Sequence, residues 1–229
     1  KGSKINLETQ VKKIEVENDK VKGITLLDGQ FIPSECVIVT FPSYLAINQL
    51  FDDNVFDKNF LETVNRLNQT TSVIEVHFAL SKKIDTRQIV FPVGKNYISK
   101  GIFFISNITS SVSPPDEHLM MVGTPVRSDE AKSSKRIREI TEKMKEELNI
   151  IYPEFQQALL WERPKAWSLV ESVVKKPGLV WKNKMPHEVP HVKGLFFVGD
   201  STVSYGIGTD SAAHSSILCH PKIMSYLKQ

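Results

Sequence analysis

The chain has 229 residues, of which 41% are hydrophobic and 24% charged. These proportions are typical of a globular protein, and the length is sufficient to bury a substantial core. No stretch approaches the roughly 20 consecutive apolar residues that a membrane-spanning helix needs. The net charge is +3, and no basic run is interleaved with aromatic residues, so the sequence does not predict nucleic-acid binding.

The two cysteines, Cys36 and Cys219, lie far apart and form no CxxC pattern. We therefore expect two reduced, buried thiols and a cytoplasmic protein. Residues 1–4 carry no signal-peptide pattern and lead directly into an alternating segment. That segment resembles the middle of a domain, so we expect the chain to be a fragment of a longer protein.

The first forty residues predict β-structure. Ile5 and Leu7 alternate with polar neighbours, residues 17–20 form a polar turn, and Asp28-Gly29 is a hairpin signal. The run 36–39 is apolar without alternation, which is typical of a strand buried on both faces of a parallel sheet.

The middle of the chain predicts alternating helices and strands. Apolar residues recur at helical spacing over 60–67, whereas 74–80 alternates as a strand with one face in the core. Further strands are expected near 102–105 and 119–122. A longer helix is expected over 129–151, with Ser128 as its N-cap. Residues 161–184 give no clear pattern because prolines interrupt them.

The end of the chain carries the strongest local signal. A short buried strand, 194–200, ends in Gly199-Asp200, and a glycine-containing loop leads to a helix over about 211–227, which we expect Pro221 to kink or break. Glycine lets the backbone approach a cofactor closely. The Asp200 carboxylate can accept hydrogen bonds from sugar or ribityl hydroxyls, and the first N–H groups of the helix, at Thr209 and Asp210, suit an anionic or carbonyl oxygen. The alternative interpretation is a tight turn with a capping aspartate.

The segment resembles the FAD family that includes phytoene desaturases, protoporphyrinogen oxidase and flavin amine oxidases. The matching residues are Gly194-Leu-Phe-Phe-Val-Gly199-Asp200, then Gly206-Ile-Gly-Thr-Asp-Ser-Ala-Ala-His-Ser215. Earlier stretches match as well: Val11-Lys-Lys-Ile14, Val21-Lys-Gly-Ile-Thr-Leu-Leu-Asp-Gly29, Cys36-Val-Ile-Val-Thr-Phe-Pro42 and the desaturase-like segment 101–125. The resemblance covers nearly the whole chain.

The resemblance implies roles for single residues. Asp200, after Gly199, would contact the ribityl or pyrophosphate part of FAD. Thr209, between Gly208 and Asp210, would lie at the isoalloxazine edge. The backbone of Val11 would hold the adenine. The resemblance names no catalytic residue, because in flavin chemistry the cofactor performs the difficult step.

The resemblance also implies an α+β fold. An antiparallel-sheet substrate domain with helices, 46–185, would be flanked by partial FAD-binding, Rossmann-like elements at 1–45 and 186–229. The family's first βαβ unit, with G-x-G-x-x-G, is missing from this chain. Two further departures are Ser204-Tyr205 in the last loop and Ser211-Ala212, where the family has Gly-Ala.

Other sites are less favoured. His187 and His191 are four residues apart, but neighbouring prolines argue against a helix, so we predict no metal site. Ser204 and Ser215 lack the G-x-S-x-G context of a nucleophile. Trp161, Trp167 and Trp181 either line a substrate cavity or belong to the core. The lysines at 175–176 and 182–184 are interpreted as solvated faces.

Two hypotheses follow. The first is a C-terminal fragment of an FAD-dependent oxidoreductase that oxidises an apolar or amine substrate by hydride transfer to flavin, with a desaturase-like substrate preferred. The second is a substrate-binding or interaction module that holds no flavin in this chain. A lipophilic substrate leaves peripheral membrane association open, although no basic amphipathic helix indicates it.

Overall fold

The computed structural model of the protein describes residues 2–94 and 96–229. The strands are β1 (Val11–Glu17), β2 (Lys20–Leu26), β3 (Phe31–Pro33), β4 (Val37–Val39), β5 (Thr71–Leu80), β6 (Ile89–Val90), β7 (Gly101–Phe104), β8 (His118–Val126), β9 (Leu159–Glu171) and β10 (Leu195–Phe197). The helices are α1 (Ser43–Leu50), α2 (Lys58–Arg66), α3 (Ile105–Ile108), α4 (Ser128–Ala131), α5 (Ser134–Ile151), α6 (Phe155–Ala158) and α7 (Gly208–Tyr226).

The chain forms two compact units. Unit 1 comprises residues 1–69 and 171–229, and unit 2 comprises residues 70–170. The inserted domain expected from the sequence, 46–185, extends beyond unit 2 at both ends. Its outer parts belong to unit 1 because Val64, Leu67, Val173 and Met185 are buried in the core of that unit.

Unit 1 contains two small sheets. Strands β1, β2 and β3 form an antiparallel meander, and β4 pairs in parallel with β10. The turn between β1 and β2 places Asn18 and Asp19 at φ of 52° and 57°, the left-handed region in which Asn and Asp are the most common residues after glycine. Residues 2–10 form no strand, and Ile5 and Leu7 are more than 80% exposed, so the early strand predicted there is wrong.

A glycine directly before β10 lies where a side chain would clash with the backbone. Gly194 has a φ of +79°, and a Cβ on it would lie 2.2 Å from the Glu35 carbonyl oxygen. Its own carbonyl accepts a hydrogen bond from Val37 N at 2.8 Å. Strand β10 is fully buried, but Ile38 of β4 is 48% exposed. The prediction that this run is buried on both faces is therefore wrong within the described residues, because β4 and β10 form a sheet of only two strands.

Helix α7 follows β10 and contacts it, with the rings of Phe196 and Tyr226 5.9 Å apart. The helix starts at Gly208, three residues earlier than predicted, and continues through Pro221 without the expected break. Its buried residues are Ser211, Ser215 and Cys219, spaced by four. The buried face of α7 is therefore narrow and mostly polar.

Unit 2 is a five-stranded antiparallel sheet, in the order β6-β7-β8-β5-β9, with α5 contacting β5. Alternate residues of β5, from Ile74 to Leu80, are fully buried with Met144 and Leu148 of α5, as predicted for one face of this strand. The helix predicted over 129–151 is two helices. Ser133 caps the longer one by accepting from Arg136 N, so the assignment of Ser128 as N-cap is wrong.

Candidate functional site

The Gly199-Asp200 turn leaves the end of β10 in a fixed conformation. Gly199 has a φ of +140°, which favours glycine, and its N–H donates to Ser215 Oγ at 3.0 Å. The half-buried Asp200 carboxylate accepts from Ser172 N at 2.8 Å and from the Ser172 hydroxyl. A carboxylate has about four acceptor positions. Asp200 is therefore held in place and keeps the capacity to accept from a ligand.

The first turn of α7 leaves backbone donors available. Gly208, Thr209 and Asp210 form this turn, and the preceding Ile207 offers no side-chain cap. The first N–H groups of any helix lack intrahelical partners, and the helix dipole makes this end positive. Thr209 and Asp210 are exposed. The predicted residues from Gly199 to Asp210 thus share one strand–turn–helix connection of unit 1.

Lys184 lies buried beneath this connection. Its Nζ donates to the Asp200 carbonyl oxygen at 3.0 Å, to Ser204 Oγ at 2.6 Å and to Ser211 Oγ at 2.9 Å. The residue is only 5% exposed, so the interpretation of 182–184 as a solvated face is wrong for Lys184. Burial, reinforced by Lys175, lowers the pKa of Lys184 to about 8, although Asp200 and Glu171 act in the opposite direction.

A second buried polar side chain, that of His187, contacts α7 at Ser215, one helical turn after the Ser211 that Lys184 contacts. His187 Nε2 lies 3.2 Å from Ser215 Oγ, and Ser215 Oγ lies 2.5 Å from Thr202 Oγ1. His187 is 4% exposed, and the two hydroxyl residues are fully buried. Desolvation by burial lowers the pKa of His187, so its ring is neutral at pH 7.

An exposed aromatic cluster flanks the loop that leads to α7. The rings of Trp181 and Tyr205 are 5.7 Å apart, and those of Tyr205 and His214 are 5.4 Å apart. Tyr205 N also donates to His214 Nδ1 at 3.0 Å. A cavity of 210 Å³ opens beside this cluster, lined by Lys175, Val180, Trp181, Lys184, Ser204, Gly206 and Ile207.

Val11 lies elsewhere in unit 1. It is the half-buried first residue of β1, paired with Leu26 of β2, in the sheet that does not contain β10. Its predicted contact with an adenine stays a prediction.

Sequence reasoning missed Lys184, His187 and Ser172 as parts of this site. Each lies in the segment that gave no clear pattern or just after it, and each reaches the site through the fold rather than through a local motif. Only the spacing of Ser211 and Ser215, one helical turn apart on α7, was a readable signal that a polar partner packs there.

Residues 2–94 and 96–229 contain neither a candidate metal site nor a candidate membrane-spanning helix. No group of three or more His, Cys, Asp or Glu side chains suited to a metal ion occurs among them. None of the helices in the same part of the chain combines the length and the hydropathy of a membrane-spanning helix.

Known structures share this fold at low sequence identity. An oxidoreductase from Methanosarcina mazei superposes with a TM-score of 0.74 at 19% identity, over 96% of this chain and 49% of that one. A candidate protoporphyrinogen oxidase from Exiguobacterium gives 0.66 at 15% identity, over 100% and 49%. Reduced UDP-galactopyranose mutase gives 0.58 at 12% identity, over 74% and 36%. The chain thus spans about half the length of the first two proteins.

Comparison with curated protein sequences gives no match. The family model of the flavin containing amine oxidoreductases matches residues 1–219, which is almost the whole chain. The mixed helix and antiparallel-sheet architecture agrees with this match. The chain belongs to the flavin-containing amine oxidoreductase family.

Proposed function

We propose that this chain is the C-terminal part of an FAD-dependent oxidoreductase and that its strand–turn–helix connection holds part of the cofactor. The observation that carries the proposal is the pairing of a fixed Asp200 carboxylate with an uncapped helix start at Thr209 and Asp210. The carboxylate suits the hydroxyls of a ribityl chain. The free N–H groups suit a carbonyl oxygen that gains negative charge when the cofactor is reduced. FAD, when bound, supplies the hydride acceptor.

The residues around Asp200 fit such a group because each polar atom has a defined role. Ser172 orients the carboxylate, and Lys184 holds the carbonyl of the same residue. A side chain at position 199 would have to adopt the left-handed region, so glycine keeps the turn open to a close approach. We also assign Val11, at the start of β1, to the adenine.

The free edge of β4 supports a site that a further segment completes. Strand β4 pairs only with β10 among the described residues, and Ile38 and Phe41 beside this edge are 48% and 44% exposed. Parallel sheets are normally covered on both faces and contain more than two strands. We propose that a βαβ unit with the G-x-G-x-x-G motif, outside this chain, adds strands here and supplies the rest of the FAD site.

We propose an apolar or amine substrate, with unit 2 contributing its binding surface. A pocket of 130 Å³ in unit 2 includes Ala79, Leu119 and Trp161 together with His77. This apolar wall is joined by three titratable side chains, those of His77, Glu117 and His118, so the pocket can accept an apolar group or an amine. Peripheral membrane association and a cytoplasmic location remain parts of this proposal.

The experiment is to purify the full-length protein and this chain separately and to record the visible spectrum of each. We expect flavin absorbance in the full-length protein, and its bleaching under anaerobic conditions by an amine or by a lipophilic polyene, whichever is the substrate class. A colourless full-length protein that also fails to take up added FAD would contradict the proposal. That result would support the second hypothesis, a binding module without flavin, which the family match does not favour.

A further inference from the structure

A buried histidine and serine lie side by side in unit 1. His187 Nε2 and Ser215 Oγ are 3.2 Å apart, and neither residue is more than 4% exposed. Ser215 Oγ also contacts the Gly199 N–H at 3.0 Å and Thr202 Oγ1 at 2.5 Å. One hydroxyl therefore has three polar neighbours, and the tautomer of His187 decides how it satisfies them.

The direction of each bond follows from counting protons. A serine hydroxyl has one proton to donate and two lone pairs. The Gly199 carbonyl oxygen can only accept, so when Thr202 Oγ1 donates to it at 2.8 Å, the bond between Thr202 and Ser215 uses the Ser215 proton. The alternative turns the Thr202 proton toward Ser215 and leaves this carbonyl with the bond from Thr202 N alone, at 3.2 Å. The Gly199 N–H fills one lone pair of Ser215. In the first arrangement, which keeps both bonds to the Gly199 carbonyl oxygen, the remaining lone pair accepts from His187, whose proton is then on Nε2.

This direction is opposite to that of a nucleophile and its base. In such a pair the ring nitrogen accepts the hydroxyl proton. In this arrangement the ring donates and both lone pairs of the hydroxyl are occupied, and the hydroxyl is fully buried. The lowered pKa of His187 favours a neutral ring, in which only one of the two nitrogens carries a proton. The pair is not suited to hydrolysis.

We infer that Ser215 and His187 are positioning residues that fix the Gly199-Asp200 turn relative to helix α7. Ser215 accepts the N–H of Gly199, while Thr202, to which it donates, holds the carbonyl oxygen of the same residue. The N–H of Gly199 is therefore bonded directly to α7, through Ser215. Its carbonyl oxygen is connected to the same helix through the Thr202 hydroxyl, and the first turn of this helix contains Thr209. The distance between the Asp200 carboxylate and the helix start is set by these bonds. The importance of that distance for FAD rests on the proposed function.

The first test uses the chain without flavin. Nitrogen-15 NMR of the His187 ring should show the neutral form with its proton on Nε2. Exchange of the Gly199 amide proton should become at least about tenfold faster in Ser215→Ala, because the variant leaves this buried donor without its acceptor. The control Ser216→Ala removes an exposed hydroxyl that bonds within the helix, to the Ala213 carbonyl, and should leave the exchange unchanged.

The donor role of His187 is tested by a conservative and a non-conservative variant. These two variants also test the inference if Ser215→Ala does not fold. His187→Gln keeps a nitrogen donor near the position of Nε2, and His187→Leu removes it. We expect Gly199 exchange to be about threefold to tenfold faster in His187→Leu and near the original rate in His187→Gln. A proton on Nδ1, or equal exchange in both variants, would overturn the inference.

The second test uses the full-length holoprotein. The dissociation constant of FAD should rise at least about tenfold in Ser215→Ala and less in His187→Gln than in His187→Leu. Unchanged FAD binding in Ser215→Ala, despite faster Gly199 exchange, would refute the link between this turn and the cofactor. A full-length protein that binds no FAD would refute the proposed function, whereas the exchange and NMR results would still decide the positioning role.

Discussion

The burial of Lys184 predicts an unusual dependence of stability on pH, which the variant Lys184→Met isolates. The ammonium donates to three neutral oxygens, on Asp200, Ser204 and Ser211, and its pKa falls from 10.5 to about 8. In the unfolded chain the lysine holds its proton up to about 10.5. Between pH 8 and 10.5 the unfolded state therefore binds more protons than the folded state. By linkage, the contribution of Lys184 to stability becomes more favourable as the pH rises through this window.

The magnitude follows from the two pKa values. Each pH unit between them corresponds to roughly 1.4 kcal/mol, so the buried charge costs about 3 kcal/mol below pH 8 and progressively less above it. From pH 7 to pH 9, the free energy of unfolding of the original chain should rise by about 1 kcal/mol relative to that of Lys184→Met. Cys219, whose pKa burial raises to about 11, titrates in both proteins and cancels in the difference.

The assay is urea unfolding at pH 7, 8 and 9, with the slope on denaturant concentration compared at each pH to check that the unfolding reaction is the same. Lys182→Met is the matched control, because Lys182 is an exposed lysine two residues away. Its difference from the original chain should not vary with pH. A difference between the original chain and Lys184→Met that stays constant, or that falls from pH 7 to pH 9, would refute the assignment of Lys184 as a buried, weakly compensated cation.

Three further predictions concern other parts of the chain. Glu147→Ala should lower the free energy of unfolding by roughly 3 kcal/mol in urea titrations, because the buried Glu147 carboxylate accepts from Ile98 N, Ser99 N and Ser99 Oγ. The control is Glu146→Ala, and equal effects of the two variants would contradict the role of the Glu147 carboxylate. Gly206→Ala should destabilise the chain by about 1–2 kcal/mol in the same titration, since φ is +87° and the new Cβ would lie 3.2 Å from Asp210 Cβ; an unchanged midpoint would argue against this loop conformation. A thiol reagent at pH 8 should label half-buried Cys36 before buried Cys219, because Cys219 is inaccessible and burial raises its pKa to about 11. Mass spectrometry gives the order of labelling, and the reverse order would contradict the packing of α7.

Periodic segments were predictable because one face of each is buried in a local pattern. The alternation over 74–80 and the helical spacing over 60–67 both correspond to observed elements, β5 and α2. Residues 161–184 could not be assigned because their pattern depends on tertiary pairing. Strand β9 passes through Pro164 and is paired with β5, and no local signal in the sequence states that pairing.

The candidate site was predictable only where it is continuous in sequence. Gly199, Asp200, Gly208, Thr209 and Asp210 lie within twelve residues, and turn and helix-start chemistry is local. From the sequence alone Lys184 is expected to lie on the surface, because lysines are seldom buried. Its burial results from three oxygens that the loop and α7 bring together, and no pattern around Lys184 itself indicates them.

We propose that Asp200 and the start of α7 hold FAD. The most direct measurement is FAD titration of the full-length protein, followed by flavin fluorescence, for Asp200→Ala and for the control Asp53→Ala, which removes an exposed aspartate elsewhere in unit 1. Charge-assisted hydrogen bonds are about twice as strong as neutral ones. We predict a dissociation constant at least about tenfold higher for Asp200→Ala and an unchanged value for Asp53→Ala. Equal affinity in both variants would contradict the claim.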